Sequence, residues 1–341
     1  MDLSLSEDQQ SIEALFGPFF EKECPSECVR GAEPLGFDRD LWERFVETGA
    51  TAMGLPESHD GSAASLLDAA IVAEIVGRRL APVPFVEHFV ASRLLARHAS
   101  GASQLEGLAG SEGIATLALH TSEGDVARLV PAGAVATHVL ALVEGDLVLD
   151  RSEPPGHAAR NFAASPLADR RLDAGARSVL CSGPEAAQAH GLALDEWRVL
   201  TANALVGVAQ GAFDLGIAYA KERTQFGVAI ASFQALQHRF ADLVTALDGA
   251  RLLARKAAWA LDEEPAEARR LAGMALLYCG DVANETAAFA LHAHGGYGVS
   301  AEYDIQLYFR RAKGWRLVLD DPAVEAAKLA DELFGPQEGA D

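Results

Sequence analysis

Apolar positions recur every three and four residues over most of this chain, the period of amphipathic helices. Near the start, Ile12, Leu15, Phe16, Phe19 and Phe20 share one helical face. Ser6 and Gln9 precede them at capping-box spacing, and Pro18 is expected to bend the helix. Asp38 starts a second predicted helix, with Leu41, Trp42, Phe45 and Val46 inward and Gly49 at its end. A third covers about 65–80, stopped by Pro82 and Pro84, and a fourth about 85–98. The pattern then changes. Residues 114–119 form a short apolar run, and 139–143 and 147–149 flank Glu144-Gly145-Asp146, a hairpin signal. The stretch from Pro154 to Arg177 reads as loop and edge strand. From about Asp195 the helical period returns, through Val199, Ala202, Leu205, Val206, Ala209, Phe213, Ile217 and Ala220. Gly207, Gly211 and Gly216 on this helix predict close helix packing. Two more helices are expected over about 232–261 and 267–293.

Long helices joined by short links imply a helical bundle. The expected organisation is mostly α with a small central β domain. Its divisions fall at 1–108 (helical), 109–190 (β), 191–335 (helical bundle) and 336–341 (tail).

Composition narrows the possibilities. With 341 residues and half of them hydrophobic, the chain can bury a sizeable core. The net charge of −21 argues against a nucleic-acid partner, because phosphate backbones require basic surface. No apolar run reads as membrane-spanning and the start lacks a basic-then-apolar leader, so a cytoplasmic protein without membrane insertion is expected. The four cysteines are scattered, and Cys24 and Cys28 lack a second close pair to complete a zinc site; reduced thiols are expected. His292 and His294 have no third ligand at suitable spacing, so no metal is expected.

The most chemically loaded stretch is residues 223–242, a link between two core helices. It carries a cation, Arg223, an aromatic, Phe226, and a glycine, Gly227, with Gln225 and Gln234 beside them. That set suits an anionic, aromatic ligand such as a dinucleotide. A plain helical hairpin with Gly227 as C-cap is the alternative. A second segment, 292–298, is glycine-rich at a helix end, where Gly295 can adopt the left-handed C-cap.

Glu222, Arg223, Phe226, Gly227, Ile230, Phe233 and Gln234 stand at the spacing Glu-Arg-x-x-Phe-Gly-x-x-Ile-x-x-Phe-Gln. This resembles the flavin-binding loop of the acyl-CoA dehydrogenase family. The second segment resembles that family's Gln-x-x-Gly-Gly-x-Gly, with Gly295, Gly296 and Gly298 matching and His292 in place of the Gln. The resemblance implies an N-terminal helical domain, a shortened β domain and a C-terminal four-helix bundle. It also implies that both segments contact FAD held mainly by a neighbouring subunit. The candidate cofactor residues are therefore Arg223, Gln225, Phe226, Gln234, His292, Gly295 and Gly296.

The chain departs from the family pattern in the middle. Neither Thr-Glu-Pro-x-x-Gly-Ser-Asp nor Gly-x-Lys-x-Trp-Ile is present, and residues 118–124 keep little of the first. Desaturating an acyl thioester requires a carboxylate to take the α-proton and a flavin to take the hydride. At the two positions where the family places that base, this chain has Leu319 and Trp197. Asp320 and Glu196, one residue away, are weak substitutes, because one step around a helix turns a side chain by about 100°. Asp320-Asp321-Pro322 reads better as the cap and first turn of a helix over 324–334.

The resemblance thus implies a subunit that completes the FAD site of a paralogous acyl-CoA dehydrogenase in an α2β2 heterotetramer, with the partner supplying the base. An electron-transfer acceptor would reoxidise the flavin. Heteromeric members of this kind are associated with steroid side-chain CoA substrates. The alternatives are a self-sufficient homo-oligomeric enzyme with an atypical carboxylate base, and a non-enzymatic assembly subunit.

Overall fold

In the computed structural model, residues 4–122, 124–173 and 175–335 are described. The expected tail at 336–341 lies outside them, as does Glu123 of the stretch compared above. The described chain is helical at both ends with a small β region between. It forms two compact units, and each draws on separated parts of the sequence.

One unit comprises Glu23–Ala69 and Pro82–Trp197. It holds the short helix α2 (Ser26–Gly31), which has no strong periodicity and was not expected, and α3 (Arg39–Val46). Asp38 caps α3 by accepting from the Leu41 amide at 2.8 Å, and Gly49 follows it with φ of 81°. Helix α5 (Phe85–His98) packs against α3 through aromatic rings. Phe45 meets Phe85 edge-on at 5.7 Å, and Trp42 meets His88 edge-on at 5.3 Å. The His88 Nε2 lies 3.1 Å from both the Thr51 and Leu108 carbonyls, so it donates; Nδ1 accepts from the Ala115 amide at 3.2 Å. This fully buried imidazole ties three segments together while remaining neutral.

The β region has a four-stranded sheet in the order β1-β3-β4-β6: β1 (Ala115–Leu117), β3 (His138–Val143), β4 (Asp146–Asp150) and β6 (Arg177–Ser182). Strands β1 and β3 are parallel and the other pairs antiparallel. The β3–β4 hairpin turns on Glu144 and Gly145 with φ of 50° and 91°, the left-handed pair that a two-residue turn requires. Strands β2 (Val126–Val130) and β5 (Ala168–Arg171) form a separate ribbon. Arg170 of β5 is buried and donates to the Gly133 and Ser152 carbonyls at 3.1 and 2.7 Å, which satisfies a charge that would otherwise be costly in the core.

The other unit comprises the N-terminal helix α1 (Glu7–Glu23) up to Lys22, Ala70–Ala81 and the chain from Arg198 onward. The capping box at α1 forms in both directions: the Gln9 amide donates to Ser6 at 3.2 Å and the Ser6 amide to Gln9 at 3.1 Å. Only Phe16 and Phe20 of its expected apolar face are buried; Leu15 is exposed. Helix α4 (Leu66–Arg79) contributes to both units, as does α6 (Pro184–Glu222). The helix returns earlier than the periodicity near Asp195 predicts: α6 begins at Pro184, directly after Gly183 with φ of 63°. Its first turns, rich in alanine, carry little apolar periodicity. Length and composition would also let α6 cross a membrane, contrary to the sequence expectation, but 72% of its most apolar stretch is buried inside the protein. It is a core helix.

After α6 come α7 (Gln234–Glu263), α8 (Pro265–Ala293), α9 (Ile305–Trp315) and α10 (Pro322–Phe334). Gly207, Gly211 and Gly216 of α6 do pack closely. A Cβ on Gly207 would lie 1.9 Å from the Glu74 carbonyl oxygen, one on Gly211 2.3 Å from the Tyr308 ring, and one on Gly216 2.9 Å from Ala290. From the α4 side, a Cβ on Gly77 would lie 1.9 Å from the Ala204 carbonyl oxygen. Helices α4 and α6 therefore touch backbone to backbone.

Two outcomes follow. Gly207→Ala should lower stability by about 1–3 kcal/mol through overpacking, whereas Gly249→Ala should be neutral or stabilising by up to about 1 kcal/mol. Gly249 is exposed, and the nearest atom to an added Cβ there is 3.6 Å away. Urea midpoints of the two variants test this. Burial also depresses the pKa of His88 to about 4. Its stabilising contribution is complete above the unfolded value near 6.5 and is lost as pH falls toward 4. By pH 5 the loss is about 2 kcal/mol, and His88→Gln should flatten that part of the stability–pH curve.

Candidate functional site

Helix α6 ends at Glu222, and the Arg223 amide still donates to the Tyr219 carbonyl at 2.9 Å. The chain then forms a miniature β-hairpin instead of a helical link. Strands β7 (Thr224–Gln225) and β8 (Val228–Ala229) flank Phe226 and Gly227, with φ of 53° and 83°. Gly227 is therefore a hairpin-turn residue and not a helix C-cap. The turn lifts Phe226 clear of the protein: it is 94% exposed, with the Phe233 ring edge-on to it at 6.2 Å. The Ile230 amide closes the hairpin on the Arg223 carbonyl at 2.9 Å.

The glycine-rich segment lies beside this hairpin, held by a ring stack. Tyr219 of α6 stacks on His294, just past α8, at 4.1 Å and 21°, and the Tyr219 hydroxyl reaches the His294 carbonyl at 3.4 Å. His294 is buried and its Nδ1 donates to the Ala290 carbonyl at 2.7 Å. Burial lowers its pKa, so it packs as a neutral ring. Tyr303 meets both rings edge-on. Above the stack, the Arg223 guanidinium lies 5.8 Å from the Tyr297 ring centroid. Arg223 is exposed and forms no ion pair among the described residues.

Gly295 turns the chain with φ of 61°, as a left-handed residue after the helix must. Gly295 and Gly296 are exposed, with open space where a Cβ would stand. Gly298 differs: its Cβ would lie 2.4 Å from the Leu291 carbonyl oxygen, so it serves packing. His292 is exposed near Phe289, with ring centroids 6.5 Å apart. Gln225 and Gln234 are exposed beside the hairpin, and Gln225 donates to the Thr224 carbonyl. Under the hairpin is a mostly apolar hollow of about 270 Å³, lined by Ile217, Ala220, Leu236 and Phe240 with Lys221 and Gln237. An unpaired cation, open glycine backbone and an exposed aromatic ring stand together. This donor set fits the phosphates and ring of a dinucleotide.

The two base positions carry buried apolar side chains. Leu319 and Trp197 are 4% and 2% exposed. Both neighbouring carboxylates are engaged. Glu196 is buried between Arg97 at 2.8 Å and Arg93 at 3.4 Å. Asp320 accepts from the Asp321 amide at 2.9 Å and from Lys328 at 3.1 Å. Asp321 caps α10 by accepting from the Ala323 amide at 2.8 Å. Glu325 then anchors α10 on Arg198 at 2.9 Å. Burial pushes the Glu325 carboxyl up, but Lys328 and Arg198 outweigh it and hold it below the usual range.

One carboxyl was missed in the sequence. Glu87 of α5 sits beside the Trp197 indole, whose N–H has no aligned acceptor among the described residues. Burial raises the Glu87 pKa. Nothing in a local motif marks Glu87, because α5 and α6 meet only in the folded unit. Substitutions separate these roles. Glu196→Ala should cost about 3–5 kcal/mol by stranding two arginines, whereas Asp320→Asn should cost under about 1 kcal/mol. Thermal unfolding of both variants is the check.

Comparison with known proteins identifies the family. Residues 6–109 match the acyl-CoA dehydrogenase N-terminal domain and residues 187–318 the C-terminal domain. The acyl-CoA dehydrogenase IpdE2 of Mycolicibacterium smegmatis is 31% identical over 337 residues, covering 97% of this chain and all of that protein. The ChsE4–ChsE5 complex from Mycobacterium tuberculosis has a chain with TM-score 0.86 and 25% identity, covering 99% of this chain and 100% of that one. A variant of the Tcur3481–Tcur3483 steroid ACAD gives the same TM-score and identity, over 97% and 98%. The chain belongs to the acyl-CoA dehydrogenase family of FAD-dependent oxidoreductases, with that family's N- and C-terminal helical domains.

Proposed function

We propose that this chain completes the FAD site of a paralogous acyl-CoA dehydrogenase in an α2β2 assembly, and that the partner supplies the catalytic base. The observation that carries this reading is an asymmetry. The exposed cluster of Arg223, Phe226, Gly295 and Gly296 is intact, whereas both base positions are apolar and both neighbouring carboxylates are engaged. The flavin, when bound, supplies the hydride acceptor for α,β-desaturation of an acyl-CoA thioester. Arg223 pairs with its phosphate oxygens, the backbone at Gly295 and Gly296 admits close approach, and Phe226 covers an aromatic face. Gln225, Gln234 and His292 border the same surface and offer polar groups. The proposed substrate is a steroid side-chain CoA, in keeping with the steroid ACAD among the structural neighbours. An electron-transfer acceptor and a cytoplasmic setting complete the reading.

Glu87 favours a second reading, a self-sufficient enzyme whose base comes from α5, since it places a carboxyl beside Trp197. Flavin content and steroid-CoA desaturation, measured on the chain alone and co-purified with a paralogous partner, decide between them. The expected result is little flavin and no activity alone, and one flavin per unlike pair in an active complex. Arg223→Ala should strip flavin from that complex. A yellow, active chain alone, silenced by Glu87→Gln, would establish the second reading. A complex indifferent to Arg223→Ala would leave only an assembly role.

A further inference from the structure

His98, Cys181 and Glu185 meet in the unit that carries the β region. They come from the last turn of α5, the end of β6 and the first turn of α6. One donor atom from each lies within 4.8 Å of the others, and the His98 Nδ1 is 3.7 Å from a Glu185 carboxylate oxygen. That separation exceeds a hydrogen bond, so the three groups converge without bonding one another closely. His98 and Cys181 are half-buried, and Glu185 is open to solvent. None of these residues belongs to the surface assigned above to flavin binding.

We propose that His98, Cys181 and Glu185 bind a transition-metal dication, with Zn(II) the best match. A thiolate, an imidazole and one carboxylate form the mixed nitrogen, sulfur and oxygen set that Zn(II) favours, whereas Ca(II) and Mg(II) require several oxygens. Zinc–ligand distances of roughly 2.0–2.3 Å place donors about 3.3–3.7 Å apart in a tetrahedron. The exposed Glu185 side chain and the Cys181 rotamer can close the remaining gap. Binding releases the thiol proton to solvent and involves no redox change. The fourth position falls to water. The ion would clasp α5, β6 and the start of α6, a structural role independent of the FAD reading.

The test is Co(II) titration of the chelator-treated full chain. One equivalent should raise a near-ultraviolet thiolate-to-cobalt band, and Zn(II) should abolish it. Cys181→Ser should lose the band, while a Cys24→Ser, Cys28→Ser double variant should keep it. Glu185→Gln, an exposed change that leaves folding intact, should weaken Co(II) binding at least about tenfold. Zn(II) should also raise the thermal midpoint of the wild type and not that of His98→Ala. Absence of the band in the wild type, or its persistence in Cys181→Ser, would overturn the proposal.

Discussion

Helices α4 and α6 run backbone against backbone. Gly77 faces the Ala204 carbonyl and Gly207 faces the Glu74 carbonyl, each so closely that a single added carbon would sit inside an oxygen. Helices carrying side chains at such a contact stand 8–10 Å apart, and only glycine permits less. The constraint recurs along α6, at Gly211 against Tyr308 and at Gly216 against Ala290. Helix α6 is thereby fixed against α4, α8 and α9 within one unit, and what its C-terminal end can present is set by those contacts.

The consequence reaches the candidate site. Gly216 brings α6 onto α8 near Ala290, within about two turns of the end of each helix. Tyr219 then stacks on His294, and Arg223 comes to stand over Tyr297. Two segments some seventy residues apart become one surface. The stack and the buried His294 lie beneath, while the cation, the open glycines and Phe226 face outward. Rigid aromatic support under an exposed cation is how a protein holds a charge ready without a carboxylate partner.

Buried charge explains the other half. Glu196 reads as a weak substitute base in the sequence, whereas nothing there singles out Glu325. In the fold each is clamped by arginine, at 2.8 and 2.9 Å. Stranding either partner of such a pair is costly, so these groups hold helices together and are not free to move protons. Glu87, with no arginine ion pair among the described residues, has the opposite environment: burial drives it toward the neutral acid beside Trp197.

The sequence by itself determined the elements whose causes are local. The Ser6–Gln9 box, the Asp38 cap, the Glu144-Gly145 turn, the Asp321-Pro322 start of α10 and the left-handed Gly295 each depend on a few adjacent residues, and each formed as the spacing required. Periodicity located the long helices, because burial of one face repeats along the chain. It failed where that signal was weak: at α2, along the alanine-rich start of α6, and at the hairpin where Phe226 adopts a positive φ uncommon outside glycine. The motif spacings named the residues of the candidate site. Tertiary structure alone decided which carboxylates were already engaged, that Gly298 serves packing while Gly295 and Gly296 stay open, and that α1 joins the C-terminal helices in one unit. It also brought Glu87 to Trp197 and His98 to Cys181. Those facts depend on contacts between residues far apart in the chain, and such contacts exist only once the helices have packed.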